Sequence, residues 1–89
     1  MDSKIIIEKL DRALYLTSAD LIHERVEIIS SLIHSREWIV GFEILCSNLH
    51  DFEVPISKET YQLLEDVGTQ LKTENDYHED LKPQIIPDS

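Results

Sequence analysis

Cysteine appears once in this chain of 89 residues, glycine twice and proline three times, and lysine and arginine together number 8 against 18 aspartates and glutamates. Each shortage excludes something. A lone Cys46 cannot close an internal disulfide, and inside an apolar helical run it reads as a buried, inert thiol. So little glycine and proline leaves scant material for a many-turned β protein. The dearth of cations gives a net charge of −10 and a pI near 4.6. That balance argues against direct binding to nucleic acid or to an anionic membrane, both of which select basic surfaces. No run approaches the roughly 20 apolar residues that span a bilayer. Ile5-Ile6-Ile7, followed at once by Glu8 and Lys9, is too short for the apolar core of a signal peptide. The expectation is a protein of the reducing cytoplasm.

What is present is the composition of a globular protein, 42% hydrophobic and 29% charged. The length allows one domain over 1–89. A chain this small buries only about 60–65% of its unfolded surface, so nearly every apolar stripe must be used. Charge is unevenly spread, with eight acids against five bases as far as Leu45 and ten against three thereafter. An acidic second half suits a basic protein partner, or it simply keeps the protein soluble.

Apolar spacing predicts four helices. The first, over 3–15, carries Ile6, Leu10 and Ala13 with Ile7 and Leu14 beside them. Thr17 and Asp20 have the spacing of a capping box, with Leu16 and Leu21 as a hydrophobic staple, so a second helix is expected from there to His34. Its face is Ile22, Val26, Ile29 and Ile33, widened by Leu21, Ile28 and Leu32. Ser35 is expected to cap the third helix, which is apolar round much of its circumference, with Trp38, Phe42, Leu45 and Leu49 as main stripe. Gly41 in its middle suggests close approach by another helix. Pro55 stops this run, and Ser57 caps a fourth helix with Ile56 and Tyr61 at staple positions. Tyr61, Leu64, Val67, Gly68 and Leu71 face inward. A short helical turn over 75–82, anchored by Tyr77 and Leu81, should halt at Pro83, and 83–89 is expected to fray. Short connections favour antiparallel neighbours. The expected object is an all-α, compact bundle of four helices with a short C-terminal helical turn.

Catalytic constellations are hard to assemble from these residues. Gly41 and Gly68 are isolated inside helices, so no phosphate-cradling loop exists. His23 and Glu27 lie one turn apart without a third metal ligand in register, and His50, Asp51 and Glu53 lack ligand number. Cys46 and His50 share a helical face, but a nucleophilic thiolate needs an electropositive, accessible setting. Glu65-Asp66 and Glu79-Asp80 are sequence neighbours that splay apart on a helix. No catalytic, cofactor-binding or metal-binding residue is assigned, and Trp38 and Tyr61 read as core.

A surface remains. If the third and fourth helices pair antiparallel through 54–57, then Asp51 and Glu53 lie at their junction, Glu59 in the first turn of the fourth helix, and Glu65 and Asp66 further along it. Carboxylates on a stiff frame are good partners for arginine. These five are the candidate binding residues. The alternative acidic surface is the tail around Asp76, Glu79 and Asp80.

Glu37-Trp38, the stretch 43–46, and the run 51–59 (DFEVPISKE) followed by Tyr61 resemble the MafI-type immunity proteins, small acidic proteins encoded beside polymorphic or contact-dependent growth inhibition toxins of bacteria. The likeness covers 35–71. It implies an all-helical, non-enzymatic antidote that binds a cognate toxin C-terminal domain in the cytosol, one to one. Such toxins are often nucleases, including RNases that cleave tRNA. An acidic surface would then occupy or obstruct the basic site that holds RNA. The rival reading is a small helical adaptor or assembly subunit that offers an apolar groove to a housekeeping partner.

Overall fold

A computed structural model describes residues 3–73 and 77–87. Those residues form α1 (Ser3–Thr17), a 3₁₀ turn (Ser18–Asp20), α2 (His23–His34), α3 (Trp38–Asp51), α4 (Lys58–Leu71) and a C-terminal 3₁₀ segment (Tyr77–Gln84). No strand occurs among them beyond one isolated parallel bridge, Ile56 to Ile85. The fold class is all-α. Asn75 and Asp76, the first residues of the expected C-terminal turn, fall outside the described residues.

The helices α1, α3 and α4 contribute most of the stripe that their spacing predicts, and α2 only part of it. Ile6, Leu10, Ala13 and Leu14 from α1, Ile29 and Ile33 from α2, Phe42, Leu45, Cys46 and Leu49 from α3, and Tyr61, Leu64 and Val67 from α4 form one continuous core. Full burial of a side chain such as Leu45 or Phe42 contributes about 1.5–3 kcal/mol. Trp38 is only partly buried at the edge of this core, and its indole N–H donates to the Ile33 carbonyl at 3.0 Å. On α2 the expected face is narrower than the pattern suggested, since Ile22 and Ile28 are exposed.

Two helix starts differ from expectation. Thr17 does not cap the second helix. It is the last residue of α1, and its hydroxyl donates back to the carbonyls of Ala13 (2.9 Å) and Leu14 (3.3 Å). The chain then makes a 3₁₀ turn and extends through Leu21 and Ile22, so α2 begins at His23 without a side-chain cap. The capping-box spacing is present, but Thr17 stays helical as the end of α1 and α2 starts only at His23, so no α2 amide comes within reach of its side chain. Ser35 likewise ends α2 rather than opening α3, whose first flanking residue is Glu37.

The ends of α2 and α3 share one geometry. Arg36 (φ 65°) and Glu53 (φ 50°) are left-handed residues just past the two helices. After α2, Arg36 N–H donates to the Ile33 carbonyl and Glu37 N–H to Leu32; after α3, Glu53 N–H donates to His50 and Val54 N–H to Leu49. These are Schellman closures, completed after α3 by burial of both Leu49 and Val54. Ser57 caps α4 as expected, accepting from the Thr60 amide at 3.1 Å.

α4 packs most extensively on α1, while α2 packs on both α1 and α3. Of the consecutive helix pairs, α3–α4 is the least extensive, because the segment Tyr77–Gln84 lies against both. Leu81 and His78 of that segment are buried, and the 3₁₀ turn runs through Pro83 rather than stopping there. The Gln84 side-chain amide then donates to the carbonyls of Leu49 (2.8 Å) and Val54 (2.9 Å). Ile56 N–H donates to the Gln84 carbonyl and Ile86 N–H to the Ile56 carbonyl. Residues 84–86 are thus tied across the α3–α4 connection.

The two glycines have different reasons. A Cβ on Gly41 would meet Leu32 and Ile33 of α2 at 3.4–3.5 Å, ordinary contact. A Cβ on Gly68 would meet the His78 ring nitrogen Nδ1 at 3.0 Å and Phe42 Cζ at 3.1 Å, both on rings held in the core. Gly41→Ala is therefore expected to stabilise by up to about 1 kcal/mol, and Gly68→Ala to destabilise by about 1–3 kcal/mol, in urea or thermal unfolding. Gln84→Ala should cost roughly 1–3 kcal/mol in the same assay, since it strips a donor from two carbonyls. An unchanged midpoint would show that the tail clamp is idle.

Candidate functional site: the acidic surface

The five candidate carboxylates separate into two sets according to what surrounds them. Asp51 and Glu53 close α3, and both are exposed. Among the described residues, the ion pairs give Asp51 only the exposed His50 imidazole, with Nδ1 at 3.8 Å, and give Glu53 no cation. The backbone beneath them is fixed by the Schellman closure and by the Gln84 clamp. Glu53 itself sits at a left-handed position where an ordinary side chain costs about 1–2 kcal/mol relative to glycine.

The other three lie on α4 and are largely engaged within the molecule. Glu59 accepts from Arg12 Nε of α1 at 3.1 Å, with both side chains about half exposed. Asp66 accepts from Lys9 Nζ at 3.0 Å and from the Gln62 amide at 3.0 Å. Glu65 also accepts from Gln62, at 3.2 Å. The bond from Lys9 holds the Asp66 carboxyl below the usual range, helped by Gln62 and by the charge of Lys9, while partial burial works the other way. The Lys9–Asp66 and Arg12–Glu59 pairs stitch α4 to α1 across the principal helix contact, so the charge of Asp66 and Glu59 is partly spent inside the fold.

Two open cavities border the sets. One, of about 480 Å³, is lined by Glu65, Asp66 and Glu79 together with Lys9 and His78. The other, of about 400 Å³, is lined by Asp51 and Glu43 together with Arg25, Phe52 and Tyr77. Glu79 and Asp80 of the alternative tail surface are exposed. Asp76 lies outside the described residues. Sequence reading missed Lys9 and Arg12 as partners of the acids, because they are 57 and 47 positions away from Asp66 and Glu59. No local spacing reports a pairing between α1 and α4.

The groups considered for catalysis have settings that can be described. Cys46 is almost fully buried, and loss of solvent, with the charge of Asp80 adding to it, pushes its thiol far above the usual range. A thiol held protonated and shielded is a packing residue, not a nucleophile. His23 and Glu27 form an exposed pair at 3.0 Å along one helix face. No group of three or more His, Cys, Asp or Glu among the described residues is placed to hold a metal ion. No described helix is long and apolar enough to cross a membrane.

Comparison with known proteins returns no matching family model, no matching curated protein and no matching solved structure. The resemblance of 35–71 to immunity proteins accordingly rests on its residues alone.

The Lys9–Asp66 pair has a pH signature. A carboxyl lowered by folding contributes stability above its unfolded value, about 3.9, and loses it as pH falls through the folded value. Lys9→Met should therefore destabilise at neutral pH, by less than about 1 kcal/mol because the Asp66 side chain is 36% exposed. The gap from the parent should close in strongly acidic solution. Urea midpoints compared at neutral pH and below about pH 3 test this, and a gap that persists in acid would assign the effect to lost packing of the lysine stem instead.

Proposed function

We propose that this chain is a cytoplasmic immunity protein, non-enzymatic, that binds a cognate bacterial toxin domain one to one and blocks it. The toxin is a basic nuclease such as a tRNA-cleaving RNase, whose phosphate-holding surface meets an acidic one here. The observation that carries the reading is the junction pair Asp51 and Glu53, exposed and without a lysine or arginine partner among the described residues on a backbone fixed from both sides. Glu59, Glu65 and Asp66 extend the negative field along α4, although the ion pairs of Glu59 and Asp66 to α1 reduce what those two can offer a partner.

The physical case is one of rate and geometry. Opposite charge steers encounter, raising association to as much as about 10⁸–10⁹ M⁻¹s⁻¹ at low salt. An antidote benefits from that speed. Carboxylates presented on fixed backbone can meet a guanidinium through two parallel hydrogen bonds with little ordering cost. Affinity itself would rest on a few desolvated anchors.

A second reading, a helical adaptor for a housekeeping partner, is favoured by the exposed apolar side chains Ile39, Val40 and Phe52. The neighbouring gene separates the two. If it encodes a nuclease domain, this protein is expected to suppress its RNA cleavage at equimolar ratio; no suppression, or no toxin there, ends the antidote reading. Charge reversal of Asp51 and Glu53 together should slow association about tenfold or more at low salt, with helical content unchanged by circular dichroism. Glu53→Gly gives the opposite signs in two assays, with stability raised by up to about 1 kcal/mol and association slowed. Protection unaffected by either change would move the interface elsewhere.

A further inference from the structure

Asn48 is a buried polar side chain with one end unused. It is 8% exposed, and its amide Nδ2 donates to the Ile44 carbonyl one turn back at 2.8 Å. That bond fixes which end of the amide is oxygen. The Oδ1 accepts no hydrogen bond among the described residues, and Asn48 lines the open cavity of about 400 Å³ beside α3. Buried amides ordinarily satisfy both ends. Here one end is answered within the helix, and the other waits for a donor that enters the cavity.

The rest of the lining calls for that donor to be a cation. Glu43 and Asp51 stand about 12 Å apart along α3, with Asn48 between them and one turn from Asp51. Glu43 is half-buried and has no ion partner among the described residues. Asp51 has only the exposed His50 imidazole at 3.8 Å. Arg25 of α2 lines the same cavity without closing an ion pair among the described residues. Two acids against one cation leave a single negative charge, which one monovalent cation balances. Phe52, 49% exposed, and Tyr77, held edge-to-face against Phe42 with centroids 6.4 Å apart, supply ring surface. Acceptors beside aromatic rings suit a flat, donor-rich cation better than a compact ammonium. A guanidinium donates through its edge and stacks through its face.

We infer that this cavity receives an arginine side chain of a partner protein, its guanidinium bonded to Asp51 and to the Oδ1 of Asn48 with its face against Phe52. Glu43 adds to the field that draws it in. Selectivity follows from what other guests leave undone. A neutral guest leaves the Asp51 charge unanswered, and an ammonium offers neither the fork for a carboxylate nor a face for the ring. This pocket deepens the junction reading, rests on it through Asp51, and adds Asn48 and Phe52 as contacts and arginine as the residue recognised.

The test is an NMR titration of the full chain with N-acetylarginine amide, read on the backbone amides and on the Asn48 side-chain NH₂. Expected is saturable millimolar binding, with shifts confined to 43–52, Arg25 and Tyr77. The lysine analogue and the neutral isostere N-acetylcitrulline amide should bind about tenfold more weakly. Asp51→Asn and Phe52→Ser, both at exposed positions, should each weaken arginine binding about fivefold or more, with folding checked by circular dichroism. Glu59→Gln should leave it unchanged. Shifts centred on Glu65 and Glu79, an unmoved Asn48 NH₂ signal, equal binding of the citrulline amide, or no saturation in the millimolar range would each overturn the pocket. No toxin enters this assay. Arginine binding without nuclease suppression ends the antidote reading and keeps the pocket, whereas suppression without arginine binding removes the pocket and keeps the antidote reading.

Discussion

The amide of Gln84, donating to the carbonyls of Leu49 and Val54, is the constraint on which the acidic junction depends. Those two carbonyls lie on either side of the α3 terminus, at a point where a helix leaves oxygens without intrahelical donors. One side chain serves both, and backbone bonds between Ile56 and residues 84 and 86 lock the next residues. Pro55 is exposed between buried Val54 and Ile56, so the connection lies extended with alternate residues inward. A segment at the far end of the chain thus sets the direction in which α3 ends and α4 begins. The C-terminal segment is part of the frame of this surface.

Electrostatics divides the molecule rather than coating it evenly. On α4, Glu59 and Asp66 answer cations of α1, which converts surface charge into a tertiary stitch of modest strength. At the end of α3 no lysine or arginine among the described residues answers them. A net charge of −10 would by itself suggest a featureless negative body. Asp51 and Glu53 are thus less neutralised than Glu59 and Asp66.

α3 combines two demands. Its inward stripe packs with α2, α4 and the tail, and Gly68 of α4 permits the tail's His78 and the ring of Phe42 to meet there. Its far side leaves Val40 half in solvent, and Phe52, just past its end, is similarly exposed. Apolar residues round most of a helix ordinarily mark burial on all sides. That pattern agrees with the contacts of α3 with α1, α2, α4 and the C-terminal segment but does not reveal its open side, because periodicity reports how apolar a face is and not whether this chain covers it.

Sequence by itself determined the all-α class, the inward stripes of α1, α3 and α4, the stop before Pro55 and the Ser57 cap. These follow from spacing and from side chains acting on backbone within a turn of themselves. It misjudged Thr17 and Ser35, where two local uses of one hydroxyl or one helix end compete and packing decides. Only the tertiary structure assigned Lys9 to Asp66, Arg12 to Glu59 and Gln84 to the end of α3. Partners separated by tens of residues meet only after the helices have packed, and no periodicity within one helix encodes which neighbour another will face. For the same reason the five acids were legible as residues, while their division into spent and available charge was not.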